Sequence, residues 1–163
     1  MRELLSRYQV RCADLECMDF LKVNLKAKQY KKIHFALVDP PCSGSGIVSR
    51  LDSLTDDNEK SISDHRLNTL GNLQAMLLKH ALSLPNLRRL VYSTCSVHER
   101  ENEAVVQEVL SDSRWTSVYQ LVHALPCWRH RGRKSYEFGR MCLRASPEKD
   151  LTNGFFVAVF ERK

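Results

Sequence analysis

The chain has 163 residues, 43% of them hydrophobic and 27% charged, the balance of one ordinary globular domain with enough apolar residues to bury a core. It holds no run near the roughly 18 apolar residues of a membrane span, and its opening, MRELLSRYQV, is polar and unlike a signal peptide, so secretion and membrane insertion are excluded as defaults. Lys and Arg outnumber Asp and Glu by 25 to 19, a formal charge of +6 that tilts toward polyanionic partners.

In chain order, a short and weakly marked strand is expected at Gln9 to Cys12. Ile33 to Val38 is an apolar run that stops at Asp39-Pro40-Pro41, as a strand buried on both faces does before a turn. Pro41, Gly44 and Gly46 then make a tight loop. Residues 47 to 63, with Asp52, Asp56, Asp57 and Glu59, read as a variable surface insertion. From Asp64 to Leu84, apolar residues at Leu67, Leu70, Leu73, Leu77, Ala81 and Leu84 recur at helical spacing, with Asp64 as N-cap and Pro85 beyond the end. Leu90-Val91-Tyr92 is a second buried strand, ending at Ser93-Thr94-Cys95; strand, helix, strand implies a parallel pair with a right-handed crossover. Ser96-Val97-His98-Glu99 has the form of a capping box, and Ala104, Val105, Val106, Val109 and Leu110 give the helix after it an apolar side. Phe155 to Phe160 is a last buried strand. The fold class is α/β: helices on both faces of a mainly parallel sheet, in one domain spanning residues 1 to 163.

The six cysteines, at 12, 17, 42, 95, 127 and 142, show no Cys-x-x-Cys and no paired Cys/His spacing. A metal site is not expected; reduced thiols in a cytosolic or nuclear protein are. In open α/β sheets the site lies outside the carboxyl ends of the strands, and both apolar strands deliver a cysteine there, Cys42 after Asp39-Pro40-Pro41 and Cys95 after Ser93-Thr94. Each precedes a glycine loop or a helix, where backbone N–H groups lower a thiol's pKa. Either cysteine alone reads first as a small core residue. Together, with a carboxylate three residues before Cys42, they suit one reaction centre. A thiolate can add to carbon 6 of a pyrimidine and make carbon 5 nucleophilic, but the spacing alone does not select that chemistry.

Selection comes from resemblance. Leu37-Val38-Asp39-Pro40-Pro41-Cys42-Ser43-Gly44-Ser45-Gly46, then Leu90-Val91-Tyr92-Ser93-Thr94-Cys95-Ser96 with Glu101-Asn102-Glu103, then Arg144-Ala145-Ser146-Pro147 and Gly154-Phe155-Phe156-Val157-Ala158 occur in order. They resemble the motifs of the Sun (RsmB-like) family of RNA cytosine-5 methyltransferases. Within it the chain is most similar to the eukaryotic members that modify large-subunit ribosomal RNA. The resemblance implies a Rossmann-like class I methyltransferase sheet, S-adenosylmethionine as cofactor, RNA as partner and a place in the nucleus and nucleolus, with the cytoplasm as the alternative. It implies Cys95 as the nucleophile, Cys42 as the residue assisting product release, and Asp39 at both the target cytosine and the cofactor. Asp19 matches the acidic residue near the cofactor's adenine, although a turn carboxylate or helix cap reads as well from the sequence.

The glycine-rich cofactor loop and the ribose-gripping acidic residue of such a fold are not in the chain, whose first glycine is Gly44. The expectation is therefore the C-terminal part of a longer enzyme, without strands one and two, with an exposed apolar edge beside the Asp39 strand and an N-terminal segment supplied in cis or in trans. The basic aromatic stretch from Trp128 to Arg140, with Arg129, Arg131, Arg133 and Lys134, suits a single-stranded RNA or a solvated loop. Lys22, Lys26, Lys28, Lys31 and Lys32 read as a soluble face. His98, Glu101 and Glu103 fall in the first turns of a helix, where the dipole favours carboxylates regardless of function, and receive no catalytic role. The rival readings are a non-catalytic RNA-binding or interaction module and, more distantly, a thiol redox protein.

Overall fold

The structure, a computed structural model, describes residues 1–47 and 62–163. The expected insertion falls on residues 48–61 almost entirely, outside the described residues. Five strands form one sheet: β1 (Phe35–Val38), β2 (Arg89–Thr94), β3 (Tyr119–Val122), β4 (Leu143–Ala145) and β5 (Phe155–Arg162), in the spatial order β1-β2-β5-β3, with β4 also pairing β5. The helices are α1 (Arg2–Arg7), α2 (Asp64–Leu82), α3 (Glu103–Leu110), α4 (Ser113–Thr116) and α5 (Pro147–Asp150).

The parallel pair forms where the strand-helix-strand pattern places it. Phe35 stands opposite Arg89 and Val38 opposite Tyr92. The rest of the sheet corrects the expectation of a mainly parallel one. β5 runs antiparallel to β2, β3 and β4, so a single parallel pair is joined by three antiparallel ones. The reason is that β5 inserts beside β2 as the chain returns from the opposite end, pairing Arg89 with Glu161 and Thr94 with Phe156. Apolar content marks β5 as buried but carries no sign of its direction.

The N-cap of α2 is Ser63, not Asp64: the Ser63 hydroxyl accepts from the Arg66 N–H at 3.3 Å. A serine one residue upstream serves the free N–H groups of the first turn directly, and leaves Asp64 to favour the dipole. Its buried residues Gly71, Gln74, Ala75, Leu78, Ala81 and Leu82 form one stripe. That stripe packs with Leu90, Tyr92, Phe156, Ala158 and Phe160 of the sheet and Val105, Val106 and Val109 of α3 in one apolar core, each fully buried large side chain contributing about 1.5–3 kcal/mol. Tyr92 and Phe156 meet edge to face at 6.3 Å.

The strand expected at Gln9 to Cys12 is absent. The N–H groups of Gln9 and Val10 close the end of α1 on Ser6 and Leu5, with Gln9 in the left-handed region at φ 54°, so those donors are spent before a ladder can form. The edge expectation holds: β1 is an outer strand, and Phe35 and Leu37 on its open face are each 70% exposed. α2 and α3 lie on the other face, with Leu90 and Tyr92.

Candidate active site

β1 and β2 run parallel as neighbours, so their carboxyl ends open on the same edge, and each chain turns there with a cysteine. The Cys42 and Cys95 sulfurs stand 3.2 Å apart. Backbone bonds thread the loop after β1 against its neighbours: the Gly46 N–H donates to the Cys95 carbonyl at 2.9 Å, and the Gly154 N–H donates to the Gly46 carbonyl at 2.7 Å. A side chain at Gly46 would meet the Gly154 carbonyl oxygen at 2.3 Å, so only glycine passes between these two segments. Gly44 supplies the turn before it, at φ 69°.

Beneath the cysteines lies a buried polar layer that sequence reasoning did not find. Glu101, Asn102 and Glu103 are all fully buried. Oε1 of Glu101 accepts from the Ser43 N–H and from Gln74 Nε2, both at 2.9 Å, and Oε2 accepts from the Ser43 hydroxyl at 2.6 Å and from the Ser96 hydroxyl. Gln74 also donates to the Pro41 carbonyl, and the Tyr92 hydroxyl to the Glu101 carbonyl. Asn102 accepts from the Thr94 hydroxyl and donates to the Ser96 carbonyl at 2.8 Å. Glu103 accepts from Arg144 Nε and Nη2, at 2.7 and 2.6 Å, and from the Arg133 N–H. Three consecutive residues thus tie the loop after β1, the turn after β2 and the segment around β4.

The capping box does not form. Ser96 accepts from the His98 N–H and donates to Glu101, whereas Glu99 accepts from the Tyr136 hydroxyl and pairs with Arg133. A short 3-10 turn at Glu99–Glu101 delays α3 to Glu103, which rotates Glu101 inward. First-turn placement explains neither buried carboxylate. The signal available in the sequence was Glu101-Asn102-Glu103 itself, three polar residues at the mouth of an otherwise apolar helix.

The electrostatics follow the same division. Burial pushes the Glu101 and Glu103 carboxyls up, but the hydrogen bonds from Ser43, Ser96 and Gln74 to the first and from Arg144 and Arg133 to the second outweigh it, leaving both below the ordinary carboxylate value. Cys95 departs from expectation. Its pKa is raised to about 11, first by burial and then by the hydrogen bond and charge of Cys42, with Asp39 adding to the rise; the backbone donor that opposes this is outweighed.

Asp39 is exposed at the end of β1 and lines an apolar groove of about 470 Å³ with Phe20, Leu37, Pro40, Pro41 and Leu77. Asp19 caps the 3-10 turn Phe20–Lys22 by accepting from the Leu21 N–H and pairs with Lys22 at 3.6 Å. It is brought near the groove only through Phe20. The basic stretch divides in two. Arg131 donates to the carbonyls of Ala124, Leu125, Pro126 and Trp128, and Arg133 is held by Glu99 and Glu103. Arg129 and Lys134 are exposed, make no side-chain hydrogen bond or ion pair among the described residues, and line a surface hollow with Arg140. Trp128 donates its indole N–H to the Arg144 carbonyl.

The chain is 56% identical over 163 residues to the 26S rRNA (cytosine-C(5))-methyltransferase nsun-5 of Caenorhabditis elegans, covering 99% of this chain and 36% of that protein. It is 46% identical over 162 residues to the 28S rRNA (cytosine-C(5))-methyltransferase of Mus musculus, covering 99% of this chain and 34% of that one. The chain therefore spans about a third of the length of these curated relatives. Among solved structures, a methyltransferase homologue from Pyrococcus horikoshii superposes with a TM-score of 0.73 at 26% identity, over 99% of this chain and 48% of that one. The sheet is thus of the Rossmann-like methyltransferase type. The family described as 16S rRNA methyltransferase RsmB/F matches residues 1–161, and the chain belongs to it.

Proposed function

We propose that this chain is the C-terminal catalytic part of an RNA cytosine-5 methyltransferase acting on large-subunit ribosomal RNA, working in the nucleolus. The observation that carries the reading is the pair of sulfurs 3.2 Å apart where β1 and β2 end, with the Asp39 charge near enough to act on Cys95. Cys95 adds to carbon 6 of the target cytosine, forming a sulfur–carbon bond and moving the ring's electron pair toward carbon 5, which takes the methyl group. Loss of the carbon 5 proton to a base then returns the sulfur–carbon electrons to Cys95, and Cys42 assists this release. With its pKa raised to about 11, Cys95 rests as a thiol. It must lose its proton as substrate binds, and Cys42 is its hydrogen-bond partner. Asp39 holds the cytosine's polar edge.

The groove beside Asp39 suits S-adenosylmethionine in part. Phe20, Leu77 and Pro41 offer apolar walls for a flat ring, and the Asp39 carboxylate offers a counter-charge for a sulfonium. S-adenosylmethionine, when bound, supplies the methyl group. Among the described residues, the groove's lining holds no charged or polar side chain besides Asp39 to grip ribose hydroxyls. Arg129 and Lys134, both exposed, are the residues of the basic stretch best placed to meet phosphates, and Arg131 and Arg133 shape the loop that presents them.

The test is a chimera in which these 163 residues replace the matching segment of the full-length Caenorhabditis elegans relative. Cys95→Ala abolishes methyl transfer to ribosomal RNA; activity persisting in that variant refutes the assignment. A second reading, an RNA-binding or interaction module, is favoured by the open β1 edge with Phe35 and Leu37. It predicts salt-sensitive RNA binding by the chain and no methyl transfer by the unsubstituted chimera.

A further inference from the structure

We propose that Glu101 is the positioning residue of the two-cysteine site: its carboxylate clasps the loop after β1 to the turn after β2, and this clasp sets the separation of Cys42 and Cys95. The inference rests on the reading of these cysteines as one reaction centre and adds the part that holds them together. Glu101 touches neither sulfur. It holds the residue after each of them, Ser43 through both its N–H and its hydroxyl and Ser96 through its hydroxyl. Two donors reach each carboxylate oxygen, so all four acceptor positions are filled, and three separate segments meet at one charge. The third, Gln74 of α2, also holds the Pro41 carbonyl just before Cys42, which fixes the loop from its other side.

Fold stability alone does not call for a charge here. A buried ion is weak evidence for stability, and an apolar side chain of similar volume often serves the fold as well or better. What an apolar side chain cannot do is accept simultaneously from Ser43 and Ser96. Moving one cysteine away from the other requires breaking charge-assisted hydrogen bonds on one side of the carboxylate. The cysteines are part of no secondary structure element, so their mutual distance is set not by the sheet ladder but by these tethers, the Gly46 contact and the weaker neutral bonds of Ser43 and Ser45 with Ser96 and of Ser45 with the Val97 N–H.

Thiol chemistry reads that distance without any methyl transfer. In the 163-residue chain with Cys12, Cys17 and Cys127 replaced by Ser, equilibration with glutathione buffers follows one reaction. One glutathione disulfide is reduced to two glutathione thiols while Cys42 and Cys95 give up their two hydrogens and form a sulfur–sulfur bond. Alkylation and mass spectrometry give the effective concentration of one thiol at the other. Glu101→Gln keeps the volume but turns an amide N–H₂ toward donors, and lowers that concentration at least tenfold. Ser43→Ala and Ser96→Ala each lower it several-fold, and adding either to Glu101→Gln changes little further. Phe160→Leu, a core substitution at the opposite end of the sheet, stays within twofold of the parent. If Glu101→Gln does not fold, the two serine variants carry the test against Ser45→Ala, which removes only bonds that bypass Glu101 and stays within twofold of the parent. The proposal is overturned if Glu101→Gln and Ser96→Ala stay within twofold, if Phe160→Leu falls as far as they do, or if the parent pair forms no more readily than in the urea-unfolded chain. Failed methyl transfer in the chimera would sink the enzymatic reading and leave this result standing.

Discussion

The two flanks of β1 are built differently. On the β2 flank, the strand continues into a loop that is stitched to its neighbour by backbone bonds at Gly46 and by a buried carboxylate, and both sulfurs sit within that stitching. On the other flank no strand among the described residues pairs with β1, Phe35 and Leu37 are exposed, and the groove under Asp39 is apolar and open. Buried polar networks are specific only when every member is satisfied, which is the condition on the first flank. An unpaired apolar edge is a surface that awaits cover. The comparison separates the two-cysteine centre, whose supports lie among the described residues, from the apolar groove beside Asp39, which those residues wall on one side.

If the β2 flank is held by satisfied buried charge, breaking that charge should produce the largest effect. Arg144→Met leaves the fully buried Glu103 without its two-pronged partner and removes the guanidinium from the Phe156 ring, 5.7 Å away. The expected loss is about 3–5 kcal/mol in urea unfolding; a loss below about 1 kcal/mol would show that Glu103 finds solvent or another donor.

A smaller effect, graded with pH, follows from the depressed carboxyls. Glu101 and Glu103 have folded pKa values below their unfolded value of about 4.5. Their contribution to stability is therefore present above that value and lost as pH falls through the folded values. Urea midpoints measured from pH 6 down to pH 3 should fall, and the slope should flatten in Glu103→Gln. An unchanged slope would mean these carboxyls do not titrate with unfolding.

The smallest stability effect belongs to the open flank. Phe35→Thr with Leu37→Thr should alter unfolding by no more than about 0.5 kcal/mol, because neither side chain is in the core. The same pair should reduce concentration-dependent association in sedimentation. If the double variant unfolds readily, the flank is covered in solution and the contrast between the flanks collapses.

Much of this was legible in residue order. Apolar runs located β1, β2 and β5, and helical spacing located α2, because burial leaves its period in the side chains. The turn of both strands onto one edge followed from strand, helix, strand, and brought Cys42 to Cys95. β3 and β4, four and three residues long, were not anticipated, since Tyr119 to Val122 and Leu143 to Ala145 are too short for alternation to stand out. Nor was the direction of β5, which is set by its neighbours and not by its own pattern. Glu101 escaped because a carboxylate near a helix start has an ordinary explanation. Its burial depends on one 3-10 turn and on Ser43, 58 residues away. The raised Cys95 pKa escaped similarly: local donors argued for a reactive thiolate, while burial and the neighbouring Cys42 decide the other way.

The central claim is that Cys95 attacks and Cys42 releases. It is tested most directly by mixing the Cys42→Ala chimera with a ribosomal RNA fragment and S-adenosylmethionine and separating the products under denaturing conditions. The account predicts a covalent RNA–protein adduct that accumulates in Cys42→Ala and disappears when Cys95→Ala is added. Absence of the adduct, or its persistence without Cys95, would contradict it.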